Sequence, residues 1–232
     1  MDYSTREDFN DRTIYGISDM KKRMFNDRFY LTGAVLSGDK TMTRSIMQPQ
    51  PAGTAEYAGL HWVAEVCGRT IKKKKLRADF SDNTTVTSLF NFYENVAVAQ
   101  RYSDIFAPDK MLYRSVGDGY RAERADTQKG WDNKMFVAPN LMPHYIRIDK
   151  VRCERLQDIS EEDCMKEGIK QVDSASIILA NMFYFYCDYG QSVAGYYNTA
   201  REAFANLIDN VMGKGTWKSN PWVWVYEFTL IQ

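Results

Sequence analysis

Trp222-Val223-Trp224-Val225-Tyr226-Glu227-Phe228-Thr229-Leu230-Ile231 decides how this chain is to be read. β-Branched and aromatic residues fill it on both pleat faces, as in a strand packed on either side. Such a strand belongs inside a barrel or sandwich, not at an edge. Working upstream, Gly213 and Gly215 close a helix whose start is marked by Thr199 and Glu202, a capping-box pair. Within it Phe204, Leu207, Ile208 and Val211 recur at i, i+3, i+4 and i+7, the stripe of a helix with one buried face. Further upstream, Tyr145–Arg155 reads as a strand with Ile146 and Ile148 on one face, and Val151 and Cys153 fall out of that phase, as at a bulge. Ser160 then caps a short helix that Gly168 stops. Strands dispersed among two or three helices make an α+β fold around a small barrel.

The N-terminal half is marked less strongly. Phe29 to Ser37 puts Leu31 and Val35 four apart on a short helix, with Gly38 suited to its left-handed end. His61 to Val66 suits a strand, and Glu94 to Tyr102 reads as another. The first 26 residues are polar, an extension or a loosely docked helix. Residues 27–232 read as one domain, with insertions at about 68–92 and 103–133.

Length and composition exclude several classes. At 232 residues the chain can bury a sizeable core, and 44% hydrophobic with 26% charged residues excludes wholesale disorder. Thirty basic residues balance thirty acidic ones, so nucleic-acid contact would have to come from a local patch. Cys67, Cys153, Cys164 and Cys187 form no CxxC pair, and His61 and His144 lack ligand spacing, so neither a metal site nor a disulfide framework is expected. The longest apolar run, Ile177 to Cys187, is too short to span a bilayer, and the N-terminus lacks an apolar signal core. A reduced, soluble, cytoplasmic protein without cofactor is the expectation.

Three stretches in order resemble the ASCH family of the PUA-like superfamily. Gly38-Asp39-Lys40-Thr41-Met42-Thr43-Arg44 matches that family's Gly-x-Lys-Thr-x-Thr-Arg signature, directly after a short helix. Ile148 through Ile169 resembles the strand-then-helix segment of phage and prophage ASCH proteins. Arg201 through Phe204 and Asn220 through Phe228 resemble the family's ending. The resemblance implies a small PUA-like β-barrel with flanking short helices, and a cleft beside the signature that takes RNA or a modified nucleoside. In one branch, small bacterial enzymes hydrolyse the acetamide of N4-acetylcytidine with a lysine, a threonine and a glutamate. Lys40, Thr43 and Glu167 match those positions, making the protein a possible amidohydrolase. Thr41, Arg44, Gln100 and Tyr102 are implied as ligand-binding groups. Ser45 stands where many phage relatives carry a second arginine, and the chain is more than twice the size of the small enzymes.

The trio makes chemical sense, with one tension. Amide hydrolysis needs a nucleophile, a base and oxyanion donors, which Thr43, Lys40 and Arg44 or loop amides would supply. Lys40 and Thr43 are expected on a loop, pointing into one cleft, with Glu167 orienting the lysine or protonating the leaving amine. Yet a nearby glutamate favours the lysine's ammonium form, against its role as base. The alternative is therefore a non-catalytic module binding RNA or modified DNA through the same cleft. A ribonuclease would need His61 and His144 to meet. Arg69, Lys72, Lys73, Lys74, Lys75 and Arg77 form a candidate nucleic-acid patch, or a solvated loop or strand end. Tyr184, Phe185, Tyr186, Tyr196 and Tyr197, with Trp217, Trp222 and Trp224, either stack on bases or build the core. Met135 and Phe136 are expected to anchor a loop onto the core, with Trp131 and Asn133 as possible pocket-lining neighbours.

Overall fold

The C-terminal strand, Trp222–Ile231, forms as its composition dictates, and its first five residues are all buried. A computed structural model describes residues 13–15, 20–67, 70–116, 119–173 and 181–231. The chain contains both helices and strands, and is α+β. It divides into two compact units, residues 1–25 with 95–146 and 231–232, and residues 26–94 with 147–230.

In the first unit, Thr13–Tyr15 runs parallel to Met111–Val116, which pairs antiparallel with Gly119–Arg124. Lys22–Arg23 runs parallel to Asn95–Val98. Strand pairing thus occupies the stretch expected to be an N-terminal extension. The segment from 103 to 133 carries a short helix and a hairpin of its own, and contributes Leu112 and Ala125 to a core with Ala97, Ala99, Tyr102, Val137, Leu141 and Met142. Met135 and Phe136 do not anchor that loop, being 57% and 53% exposed. Val137, Leu141 and Met142 do so, because Asn133 caps a 3-10 turn by accepting from Met135 N, and Pro139 starts the next.

In the second unit the C-terminal strand lies between Tyr145–Arg155 and the short strand Met42–Ile46. Its register with the latter is antiparallel, pairing Tyr226 with Thr43, Trp224 with Ser45 and Val225 with Arg44. A second sheet comprises the long hairpin Tyr57–Cys67 and Thr70–Phe80, followed by Thr85–Thr87. Among the described residues no closed barrel is found. The ladder ends at Met42–Ile46, because Tyr57–Cys67 pairs with Thr70–Phe80 instead of continuing it.

Period-two alternation sorts the central sheet's residues by face. Trp222, Trp224 and Tyr226 face the hairpin side, where Phe80 meets Trp222 at 4.9 Å and Phe90 meets Tyr226 at 5.1 Å between ring centroids. Arg44 faces the helix Ala200–Met212, its guanidinium 5.7 Å from the Phe204 ring centre. Thr199 Oγ1 caps that helix through Glu202 N at 3.1 Å, as the capping signal requires. Ala203, Phe204, Leu207 and Ile208 are its buried stripe. On Tyr145–Arg155 burial changes phase between Ile148 and Val151.

Candidate functional site

The signature segment is fastened at both ends by backbone bonds. The helix Leu31–Leu36 ends at Gly38, whose φ of 80° is the left-handed value expected there. Lys40 N then donates to Ala34 O at 2.8 Å, Thr41 N to Lys166 O at 2.9 Å, and Phe228 N to Thr41 O at 2.9 Å. The signature is therefore not a free loop. Thr43 and Arg44 stand on the strand Met42–Ile46, and Lys40 immediately precedes it.

Glu167 is brought to Lys40 by the end of the helix Glu161–Lys166. Ser160 Oγ accepts from Asp163 N at 3.1 Å and starts the helix, and Glu167 closes it just before Gly168, at φ 104°. The Lys40 ammonium donates to Glu167 Oε2 at 2.5 Å and to the Glu167 carbonyl at 2.7 Å. A cation at a helix C-terminal carbonyl is favourable, and it offsets the unfavourable placement of a carboxylate there.

Arg44 takes the other oxygen. Its Nη1 donates to Glu167 Oε1 at 2.8 Å, its Nη2 to Glu154 Oε1 at 2.6 Å, and Asp163 Oδ2 lies 3.4 Å from Nη2. Burial opposes the guanidinium's charge, but Glu167 and Glu154 more than offset that and hold its pKa above the ordinary value. Lys40, Arg44 and Glu167 are only 2%, 1% and 4% exposed, so one carboxylate is shared by two buried cations. The network then runs outward, through Glu154 and Asp163 to Arg152, and from Arg152 Nη1 to Glu227 Oε1 at 2.9 Å.

Thr43 is also buried, but alternation sets it on the strand face opposite Arg44, beside Tyr226. Ser45 is buried on the same face, beside Trp224. The indole nitrogens of Trp222 and Trp224 on that face are buried without a hydrogen-bond partner among the described residues. Thr41 is half-buried. Of the expected site residues, the structure joins Lys40, Arg44 and Glu167 by direct bonds.

Gln100 and Tyr102 belong to the first unit. Gln100 Oε1 lies 2.9 Å from His144 Nδ1, and Tyr102 is a core residue whose hydroxyl accepts from Ala138 N at 2.8 Å. Trp131 packs against the same core. His61 is in the second unit, with its Nδ1 3.2 Å from Asp79 Oδ2. The expected loop or strand end at the basic patch is the full strand Thr70–Phe80. Lys74 and Lys75 are exposed and Arg77 is half-buried. Arg69, and the side chains of Lys72 and Lys73, lie outside the described residues.

Sequence reasoning missed Glu154, Asp163 and Arg152. The signal was the alternation Arg152-Cys153-Glu154, which puts a cation and an anion on one strand face. Burial pushes the thiols of Cys153 and Cys164 up to about 12, so neither is a thiolate nucleophile near neutral pH. Among the described residues no His, Cys, Asp and Glu group could hold a metal ion, and no helix is long and apolar enough to cross a membrane. No family model, curated protein or solved structure matches this chain.

Proposed function

We propose that the second unit is an ASCH-type, PUA-like binding module for RNA or a modified nucleoside, centred on Lys40, Thr43, Arg44 and Glu167. The observation that carries this reading is the sharing of one buried carboxylate by two buried cations at the signature. Burying three charges is expensive, and a well-packed apolar cluster would serve stability at least as well. A dry, fixed array of donors and an acceptor is what recognition of a nucleobase edge requires.

Hydrolysis of an N-acylated cytidine is the second reading, favoured by the 2.5 Å approach of Lys40 to Glu167. In it Lys40 first passes a proton to Glu167. Thr43 Oγ, which the strand sets on the face opposite Arg44, would have to turn toward Lys40, attack the acyl carbon and pass its proton to the Lys40 amine. The C–N bond breaks, the leaving nitrogen takes the proton held by Glu167, and water hydrolyses the acyl ester. Arg44 opposes the first step, because its bond to Oε1 stabilises the ionised carboxylate. Binding needs no such transfer, and for that reason recognition is placed first.

The test is calorimetric binding of N4-acetylcytidine and cytidine, with acetate release followed in parallel, for the wild type, Lys40→Met and Thr43→Val. Binding without turnover, weakened in both variants, supports the module. Turnover lost in both variants moves the conclusion to the amidohydrolase. Absence of both binding and turnover with the folded wild type sinks the reading for this nucleoside.

A further inference from the structure

The lysine-rich hairpin carries an aromatic residue that the core does not use. In its register Trp62 stands opposite Leu76 and Ala64 opposite Lys74, so Trp62, Leu76 and Lys74 share one face. Leu76, Ala78 and Phe80 on this face are buried at 1%, 0% and 3%, whereas Trp62, at the point where the hairpin leaves the core, is 48% exposed. Trp62 meets Phe92 at 6.1 Å between ring centroids. Lys74, its diagonal neighbour on the same face, is exposed.

The segment that supplies Phe92 is held rigidly. Asn91 Oδ1 accepts from Leu76 N at 3.2 Å, and Asn91 Nδ2 donates to Lys74 O at 3.3 Å. Tyr226 Oη accepts from Leu89 N at 3.1 Å, and Tyr93 N donates to Ile148 O at 2.7 Å. Phe90 turns inward against Tyr226, while Tyr93 is 76% exposed at a left-handed φ of 60°. A large aromatic side chain in that conformation is unusual, and its ring is not recovered as core. Trp62, half-exposed on a face it shares with the exposed Lys74 and backed by a bonded segment, combines a stacking surface with positive charge.

We propose that the Trp62 face of this hairpin is a stacking platform for a single-stranded polynucleotide. Bases stack on Trp62, and Lys74 neutralises the phosphodiester backbone. The choice of partner follows from charge and shape together. The exposed Lys74 favours a phosphodiester, and an exposed indole beside it favours unpaired bases, whose π-faces a duplex hides. The inference shares with the proposed function its class of partner, but it uses a different surface.

The experiment is fluorescence anisotropy of labelled dodecamers of uridine, of thymidine and of a blunt duplex, titrated with the full chain between 50 and 300 mM salt. Wild type, Trp62→Ala, Trp62→Phe and Lys74→Gln are compared, with circular dichroism to confirm folding. The expectation is tight binding of both single strands over the duplex, with RNA and DNA arms telling which sugar is preferred. Trp62→Ala weakens it about tenfold, Trp62→Phe restores most of it, and Lys74→Gln reduces the salt slope by roughly 0.7. Binding of a mononucleoside stays as in wild type in Trp62→Ala, which separates failure here from failure at Lys40. Unchanged affinity in Trp62→Ala, equal binding of duplex, or no binding of single strands by wild type overturns the proposal.

Discussion

Replacing Glu167 by glutamine tests whether the buried charges are mutually dependent. The carboxylate lies 2.5 Å from Lys40 and 2.8 Å from Arg44. At an effective dielectric near 20, each contact carries an attraction of about 6 kcal/mol. Desolvation of each ion takes back several kcal/mol, and the loss on removing one member of a buried pair is about 3–5 kcal/mol. The substitution leaves two cations that are 2% and 1% exposed, without their shared anion. Arg44 keeps Glu154 and Asp163, so Lys40 bears most of the loss. In a chain of this length that corresponds to a fall in Tm of roughly 6–20 °C. Lys40→Met is milder, because Glu167 retains Arg44 and the methionine fills a similar volume. The double variant, measured by urea denaturation, should be less destabilised than the sum of the singles by about 1–3 kcal/mol. Strict additivity, or a Glu167→Gln protein within about 1 kcal/mol of wild type, would refute the reasoning.

Two further outcomes follow from the packing. Tyr226→Phe removes the bond from Leu89 N and the 3.0 Å contact with Ser88 Oγ, so it should lower unfolding free energy by about 1–3 kcal/mol in urea titration, without changing the slope. Cys153 and Cys164, both held near 12 by burial, remain protonated well above the ordinary thiol range, so alkylation followed by mass spectrometry should leave them unmodified in the native state at pH 8. Since their thiolates appear only as pH rises toward 12, labelling of either at pH 8 as fast as in urea would contradict the buried setting.

Local patterns were legible wherever one residue type admits one conformation. Gly38 ends its helix in the left-handed region, Ser160 and Thr199 cap theirs, and the two-faced apolar strand Trp222–Ile231 has a neighbouring strand on either side. The strand Tyr145–Arg155 and the stripe Phe204, Leu207, Ile208 were readable from their periods. The lysine strand was not, since Lys72 to Lys75 carries no polar–apolar alternation and is paired only because Tyr57–Cys67 lies alongside it. The polar segment from 103 to 133 was likewise opaque, because its few apolar residues gain value only when Leu112 and Ala125 meet a core supplied from elsewhere in the sequence.

At the site the division is sharper. The resemblance to the ASCH signature and to the family's strand-then-helix segment marked Lys40, Thr43 and Glu167 as a possible group. Only the tertiary structure decided that Arg44 shares the glutamate, that Glu154, Asp163 and Arg152 extend the network, and that Thr43 faces away from Arg44. The physical reason is that backbone geometry is a local property of a few neighbouring residues. Charge burial and strand facing depend instead on which distant segments pair, and in what register.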